Sequence, residues 1–389
     1  MIRVGFFLNF PLDYKGGINY LRNLLYAIKK FPEGQEAILF VPANIPEEYI
    51  TSFAPFATII KTKVIQRKTL PWLADKIFEK TFTYNPLMVW LISRYKIDVI
   101  SHANFTAKGI KTINWIPDFQ YVRYPDLWNE HRLRETTLLH RRLAIESDLI
   151  CLSSRSAFSD FKKKYNEYSG KVFVLHFVSQ PENGVEIELS DEDRKELFGR
   201  YNIDRPYFYL PNQFWVHKNH KVAWNAIRRL KEGGHDPLLI TSGFMSDSRN
   251  RNEHVVALQK FIEDHGLQKN IYLLGLIPYR DVIRLLIGSK CVINPSHFEG
   301  WSSTVEEAKT LGKRIILSDI DVHIEQKPEF GVYFSPDDDA QLAGIMSDIL
   351  SGKIADPVTD KSQLLRDLDN RTQAFAKTYL EAVKRLLSR

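Results

Sequence analysis

Asn294-Pro295-Ser296-His297-Phe298-Glu299-Gly300-Trp301-Ser302-Ser303-Thr304-Val305-Glu306-Glu307-Ala308 is the stretch from which the rest of the chain can be read. The apolar run Cys291-Val292-Ile293 ahead of it reads as the end of a buried strand. Pro295 and Gly300 mark a loop. Ser302, Ser303 and Thr304 then offer N-caps to a helix that carries Ala308 and Leu311 and stops at Gly312. Ile315-Ile316-Leu317 is the next apolar strand. A strand–loop–helix–strand unit of this kind builds parallel sheets. Its loop lies at the carboxyl end of a strand and leads into a helix N-terminus, where open α/β folds bind ligands and free N–H groups suit phosphate.

Glu299 and Glu307 frame this loop in the pattern Glu-x7-Glu. Ser303-x-x-Glu306 and Thr304-x-x-Glu307 also fit a capping box, which accounts for the helical glutamates in purely structural terms. It does not account for Glu299, a loop acid able to accept hydrogen bonds from ligand hydroxyls.

The stretch resembles the Glu-x7-Glu motif of retaining glycosyltransferase family 4, the glycosyl transferases group 1. In that family the pattern runs Pro-Ser-x-x-Glu-Gly-aromatic-small, then four residues, then Glu-Ala. Arg314 to His323 is similar to the family's continuation. Glu306 stands where the family has an apolar residue, so either Glu306 or Glu307 fills the second acidic place; spacing and Ala308 favour Glu307. The resemblance implies a GT-B fold, an α/β architecture of two Rossmann-like domains facing across a cleft.

Working outward, the chain divides accordingly. At 389 residues two cores are expected. The expected domains are 1–190, receiving the acceptor, 191–369, binding the nucleotide-sugar donor, and 370–389, an amphipathic C-terminal helix packing back on the first domain. The polar stretch 180–206 marks the junction. Tyr207 to Leu210 opens the second domain as a strand, and Pro211-Asn212-Gln213-Phe214-Trp215-Val216-His217-Lys218 follows. This resembles the family's second signature, in which an Arg and a Lys flank the diphosphate. Lys218 matches the Lys; Gln213 replaces the Arg, with His217 nearby. Gly275-Leu276-Ile277 follows a strand, and the resemblance implies that Ile277 presents its backbone to the nucleobase.

In the first half, strand Met1–Leu8 leads to a Gly16-Gly17 loop and a helix with Leu21, Leu24, Leu25 and Ile28 inward. Gly-Gly here is either a turn or a backbone approach to phosphate; the family's glycine loop faces the diphosphate. Strand Lys111–Ile116 leads into Pro117-Asp118, where Asp118 is either a turn carboxylate or the family's cleft acid near the reacting sugar. Residues 61–97 interleave Lys61, Lys63, Arg67, Lys68, Lys76 and Lys80 with Leu70, Trp72, Leu73, Ile77, Phe78 and Phe82. They read equally as a membrane-surface element and as a helix pair capping the core. The net charge of +6 falls wholly within residues 1–190, the remainder being balanced. That asymmetry points the first half at an anionic partner.

Cys151 and Cys291 sit in apolar runs and read as buried thiols, not a disulfide or metal framework. The N-terminal run is too short for a signal region and no run reaches membrane-span length. The expectation is a cytoplasmic protein, peripheral on the inner membrane face, with no nucleic-acid partner.

The resemblance implies transfer of a hexose-type sugar from a nucleotide sugar to a hydroxyl of a glycan or lipid-linked glycan, with retention, in bacterial polysaccharide, O-antigen or lipopolysaccharide synthesis. Catalytic work then falls to Glu299, Lys218 and Asp118. Donor-sugar contacts fall to Glu299, Trp301, Ser302 and Ser303. Phosphate contacts fall to Gly16, Gly17, Lys218, Ser303 and Thr304, and the nucleoside to Ile277 and Glu307. No metal or other cofactor is expected, and Asp319-Ile320-Asp321 and Asp191-Glu192-Asp193 are not read as metal motifs. A sugar-nucleotide epimerase, a non-catalytic nucleotide-binding subunit and a two-carboxylate glycosidase are the competing readings.

Overall fold

The structure, a computed structural model, describes residues 1–10, 12, 15–82, 85–107, 109–180, 186–246 and 252–388, without the side chains of residues 76 and 79–82. The expectations for Lys76, Lys80 and Phe82 therefore lie outside the described side chains.

Two compact units are present. The first comprises Met1–Val122, Glu130–Val178 and Asp369–Arg389; the second comprises Arg123–Asn129 and Ser179–Leu368. Among the described residues the first unit holds β1 (Ile2–Phe7), β2 (Gln35–Pro42), β3 (Thr58–Thr62), β4 (Val99–Ser101), β5 (Lys111–Ile116), β6 (Leu149–Leu152) and β7 (Val172–Val174). They form one parallel sheet in the order β3-β2-β1-β4-β5-β6-β7. The second unit holds β8 (Phe208–Leu210), β9 (Leu239–Thr241), β10 (Ile271–Leu273), β11 (Cys291–Asn294), β12 (Ile315–Ser318) and β13 (Gly331–Phe334). Its parallel order is β10-β9-β8-β11-β12-β13.

Central strands of such sheets are covered on both faces, so their residues are apolar without alternation. Leu149–Leu152 and Cys291–Asn294 are buried at every position, and both cysteines are free thiols within these strands. Burial pushes each thiol up to about 12, so neither is a nucleophile at neutral pH. The edge strands β3 and β13 were not anticipated from the sequence. Thr58–Thr62 is broken by Lys61 and flanked by threonines, and Gly331–Phe334 offers only a three-residue apolar run; both are largely half-buried or exposed.

The first helix differs from expectation. Gly16 and Gly17 do not form a loop; they occupy the first turn of the helix Lys15–Lys30, which buries Tyr20, Leu21, Leu24, Leu25 and Ile28. Both glycines thus remain at a helix N-terminus after β1. The C-terminal helix Lys361–Leu387 runs 27 residues. From Asp369 onward it belongs to the first unit, where Phe375, Tyr379, Leu380, Val383 and Leu386 are buried. Tyr379 Oη donates to Ser101 Oγ at 2.7 Å, and Ser101 Oγ lies 2.7 Å from His102 Nδ1.

Candidate functional site

In the second unit the chain leaves β8 for one side of the sheet and returns at β11 on the other. The crevice at the carboxyl ends of these two neighbours is the topological switch point, where open sheets bind ligands. The loop after β8 ends in a short 3-10 turn, Val216–Lys218, and Asn219 takes a left-handed φ of 53° before the helix His220–Glu232. The loop after β11 carries Glu299 and enters the helix Ser303–Thr310.

These loops meet. Lys218 Nζ donates to Glu299 Oε1 at 2.6 Å, with side-chain exposures of 13% and 8%. Removing two charges from water is costly unless they are paired. Ser296 Oγ lies 2.7 Å from the same oxygen and 2.8 Å from Asn294 Oδ1, sharing its one proton between them. Burial raises the Glu299 pKa, but the Lys218 charge and these hydrogen bonds more than offset it, and the net shift is downward. Glu299 is therefore a carboxylate at neutral pH. Its expected freedom is corrected: it is engaged with Lys218, which holds its charge and its place.

A buried amide network aligns the two loops. Asn212 Nδ2 donates to Asn294 Oδ1 at 2.9 Å, and Asn294 Nδ2 donates to Ser302 Oγ at 2.8 Å. Asn219 Nδ2 donates to the Pro295 and Pro336 carbonyls at 3.2 and 2.8 Å. Ser302 is the N-cap, accepting from Val305 N at 3.4 Å. Neither capping box suggested by the sequence forms, because the cap lies one residue ahead of Ser303.

The two helical glutamates separate in consequence. Glu306 accepts from Lys309 Nζ at 3.2 Å and from Gln326 Nε2 at 3.1 Å. Glu307 accepts from Tyr279 Oη at 2.9 Å. Together with Ser179, Ile283, Thr310 and Leu311, these last two line a shallow depression. Burial pushes the Glu307 carboxyl up to about 7, partly offset by the tyrosine hydroxyl. Ile277 is half-buried in the turn after β10. Of the other residues expected on the donor side, Trp301 is half-buried, Ser303 exposed and Thr304 buried.

Gln213 has a structural duty. Its Oε1 accepts from Phe244 N at 2.7 Å, tying the loop after β8 to the loop after β9. Gly243 permits that approach: at φ 150°, an added Cβ would lie 2.3 Å from Asn212 O. His217 is buried, and its carbonyl accepts from His297 N at 2.8 Å. The segment Arg123–Asn129 also belongs to this unit. Tyr124 Oη donates to His297 O at 3.4 Å, and the Arg123 guanidinium lies 5.7 Å from the Phe298 ring centroid.

In the first unit, Asp118 follows β5 and its Oδ1 accepts from Gln120 N at 2.9 Å, the turn role open to it from the sequence. Asp321 pairs with Arg123 at 3.7 Å, and Asp193 with Arg284. Among the described residues no group of three His, Cys, Asp or Glu is placed to hold a metal.

Asn212, Asn294, Ser296, Tyr279 and Gln326 were missed by sequence reasoning. For Asn294 a signal existed: a polar residue ending an apolar strand must find a partner if buried.

Strand order, parallel pairing and two Rossmann-like units define the class: this is the GT-B fold found in glycosyltransferases. Residues 193–365, a little under half of the chain, match the family model of glycosyl transferases group 1. Three similar structures each align over nearly the full length. A glycosyltransferase from Rickettsia africae ESF-5 has TM-score 0.63 at 17% identity, covering 100% of this chain and 96% of that one. Anabaena HepE in complex with UDP-glucose has TM-score 0.65 at 15% identity, with 100% of both covered. WaaG, a glycosyltransferase involved in lipopolysaccharide biosynthesis, has TM-score 0.61 at 14% identity, with 98% of both covered. No curated protein matches in sequence.

Proposed function

We propose that the protein is a retaining, metal-independent glycosyltransferase that moves a hexose-type sugar from a nucleotide sugar to a hydroxyl of a glycan or lipid-linked glycan. The observation that carries this reading is the largely buried Lys218–Glu299 pair at the switch point of the second unit, inside the segment that matches glycosyl transferases group 1. The UDP-glucose bound by HepE and the lipopolysaccharide role of WaaG support a nucleotide-sugar donor and a bacterial polysaccharide product.

Transfer breaks the bond between the anomeric carbon and a diphosphate oxygen. Negative charge grows on the leaving phosphate while the sugar becomes oxocarbenium-like, so the site must oppose both changes. Lys218 carries three N–H donors; one is given to Glu299, and the others neutralise the departing phosphate. The N-terminal turn of the helix Ser303–Thr310 adds donors and its dipole there. Glu299 holds a sugar hydroxyl through its second oxygen, with Trp301, Ser302 and Ser303 around the sugar. Glu307 receives the ribose hydroxyls and Ile277 the base. The leaving phosphate takes the acceptor's proton on the face it vacates, which retains configuration. Gly16 and Gly17 add backbone donors for the diphosphate, and Asp118 serves the reacting sugar. The protein works at the cytoplasmic face of a membrane as a peripheral enzyme.

Turnover with a panel of nucleotide sugars and a glycan or lipid-linked acceptor tests this. Glu299→Ala is expected to lower kcat by roughly a hundredfold or more, as for removal of one group at a developing charge. Lys218→Ala is expected to weaken nucleoside diphosphate binding as well as rate. Activity is expected to persist in EDTA. Wild-type rates in both variants, or interconversion of the nucleotide sugar without acceptor, would refute the assignment.

A further inference from the structure

We propose that the helix Leu70–Phe82 lies flat on an anionic lipid surface, with its Leu70, Leu73 and Ile77 side inserted and the cations of residues 63–68 against the headgroups. The inference deepens the peripheral reading given above and is independent of the donor chemistry. The three apolar side chains are 83%, 48% and 56% exposed. Their spacing of three and four residues places them on one narrow arc at 100° per residue. Phe78, also exposed, borders that arc.

The orientation is held by the helix's other side. Asp75 is buried, and its Oδ1 accepts from Leu87 N at 3.0 Å, anchoring the helix to the start of Pro86–Arg94. Met88, Leu91 and Ile92 of that following helix pack into the first unit's core with Val64 and Ile65. The second helix of the pair therefore packs on the core, and the stripe of the first helix is left outside it. Trp90, on the helix Pro86–Arg94, is exposed, with the Arg94 guanidinium 5.5 Å from its ring.

Charge selects the occupant. Lys63, Arg67, Lys68 and Arg94, in the sequence flanking this helix, are exposed, and Lys61 is paired with Glu47 at 3.3 Å. An exposed apolar helical face, with exposed cations and a tryptophan in the segments that flank it, is the pattern of an interfacial helix. A second copy of the chain fits poorly, because a two-fold contact through this patch would bring the same cations together.

The test uses the full chain with phosphatidylcholine vesicles, with and without one-third phosphatidylglycerol. The wild type is expected to sediment with the anionic vesicles and to be released by high salt. Leu73→Glu with Ile77→Glu is expected to lower partitioning roughly tenfold or more at unchanged nucleotide affinity. Lys63→Gln with Arg67→Gln and Lys68→Gln is expected to abolish the salt dependence. Leu70→Cys can carry a polarity-sensitive dye selectively, since Cys151 and Cys291 are buried; its emission should shift to the blue only with anionic vesicles. An unshifted dye overturns the proposal, as does equal binding by the glutamate variant. So does a wild-type dimer that the glutamate variant dissociates, which would make the stripe a self-association face. Loss of sugar transfer with intact vesicle binding would refute the enzymatic reading and leave this one standing.

Discussion

Glu306 and Glu307 are neighbours in sequence and do different things. Glu306 is held by Lys309 and Gln326, whereas Glu307 accepts from the Tyr279 hydroxyl and is pushed up to about 7 by burial. A carboxyl whose folded pKa lies above its unfolded value binds its proton more tightly when folded. Stability from this group is therefore full below the ordinary value of 4.5, falls as pH rises toward 7, and is lost above it. The loss is at most about 3 kcal/mol. Glu307→Gln should erase that slope and unfold at a higher temperature than the wild type at about pH 8, with little difference at about pH 4. Ligand binding should run the other way. If ribose hydroxyls donate to the carboxylate, nucleoside diphosphate affinity rises with pH, by up to about tenfold per unit below the folded pKa. Calorimetric titration across about pH 6 to 8 reads this directly, and a flat affinity would remove Glu307 from the ribose.

At the scale of elements, the helix Ser303–Thr310 is only eight residues long, and its own hydrogen bonds do little to fix it. Gln326, from the helix Asp321–Gln326, supplies the constraint. Its Oε1 accepts from Ser302 N at 3.1 Å, and its Nε2 donates to Ser302 O at 2.9 Å. Lys309 Nζ returns to the Gln326 carbonyl at 3.0 Å. Gln326→Ala leaves buried partners unmet, which costs about 1–3 kcal/mol. Thermal unfolding of the second unit should move down by roughly 2–8 °C. Transfer should slow as the Glu299 loop loosens. An unchanged transition would mean that packing alone sets this helix.

At the scale of the whole molecule, residues 369–389 complete the core of the first unit from the far end of the chain. The Tyr379 ring lies 6.0 Å from Phe6, and Phe375 lies 6.4 Å from Tyr20. Truncation after residue 368 would expose these partners together, and the first unit is expected to be insoluble or to bind hydrophobic dye. Tyr379→Phe keeps the ring and loses only the bond to Ser101, costing about 1 kcal/mol. Tyr379→Ala should cost about 3–5 kcal/mol. Comparable stability of the phenylalanine and alanine variants would contradict this role.

The sequence by itself determined the fold class and the position of the loops after β8 and β11. Buried parallel strands write continuous apolar runs, and the Pro-Ser-x-x-Glu-Gly pattern marks one strand–loop–helix turn without ambiguity. It did not announce β3 or β13, because Lys61 interrupts the one and the other has only three apolar residues after Gly331. It left Gly16-Gly17 as a loop, since glycine reads locally as a turn; packing of Tyr20, Leu21 and Leu24 carried the helix back to Lys15. It left two glutamates interchangeable, and the position of one cap at Ser302 separated them. Only the tertiary structure joined Lys218 to Glu299, 81 residues apart. It also gave Gln213 a backbone partner at Phe244 and turned the Leu70, Leu73 and Ile77 stripe outward. A residue's own spacing sets which side of its element it occupies. What stands opposite that side depends on chain elements far away in sequence.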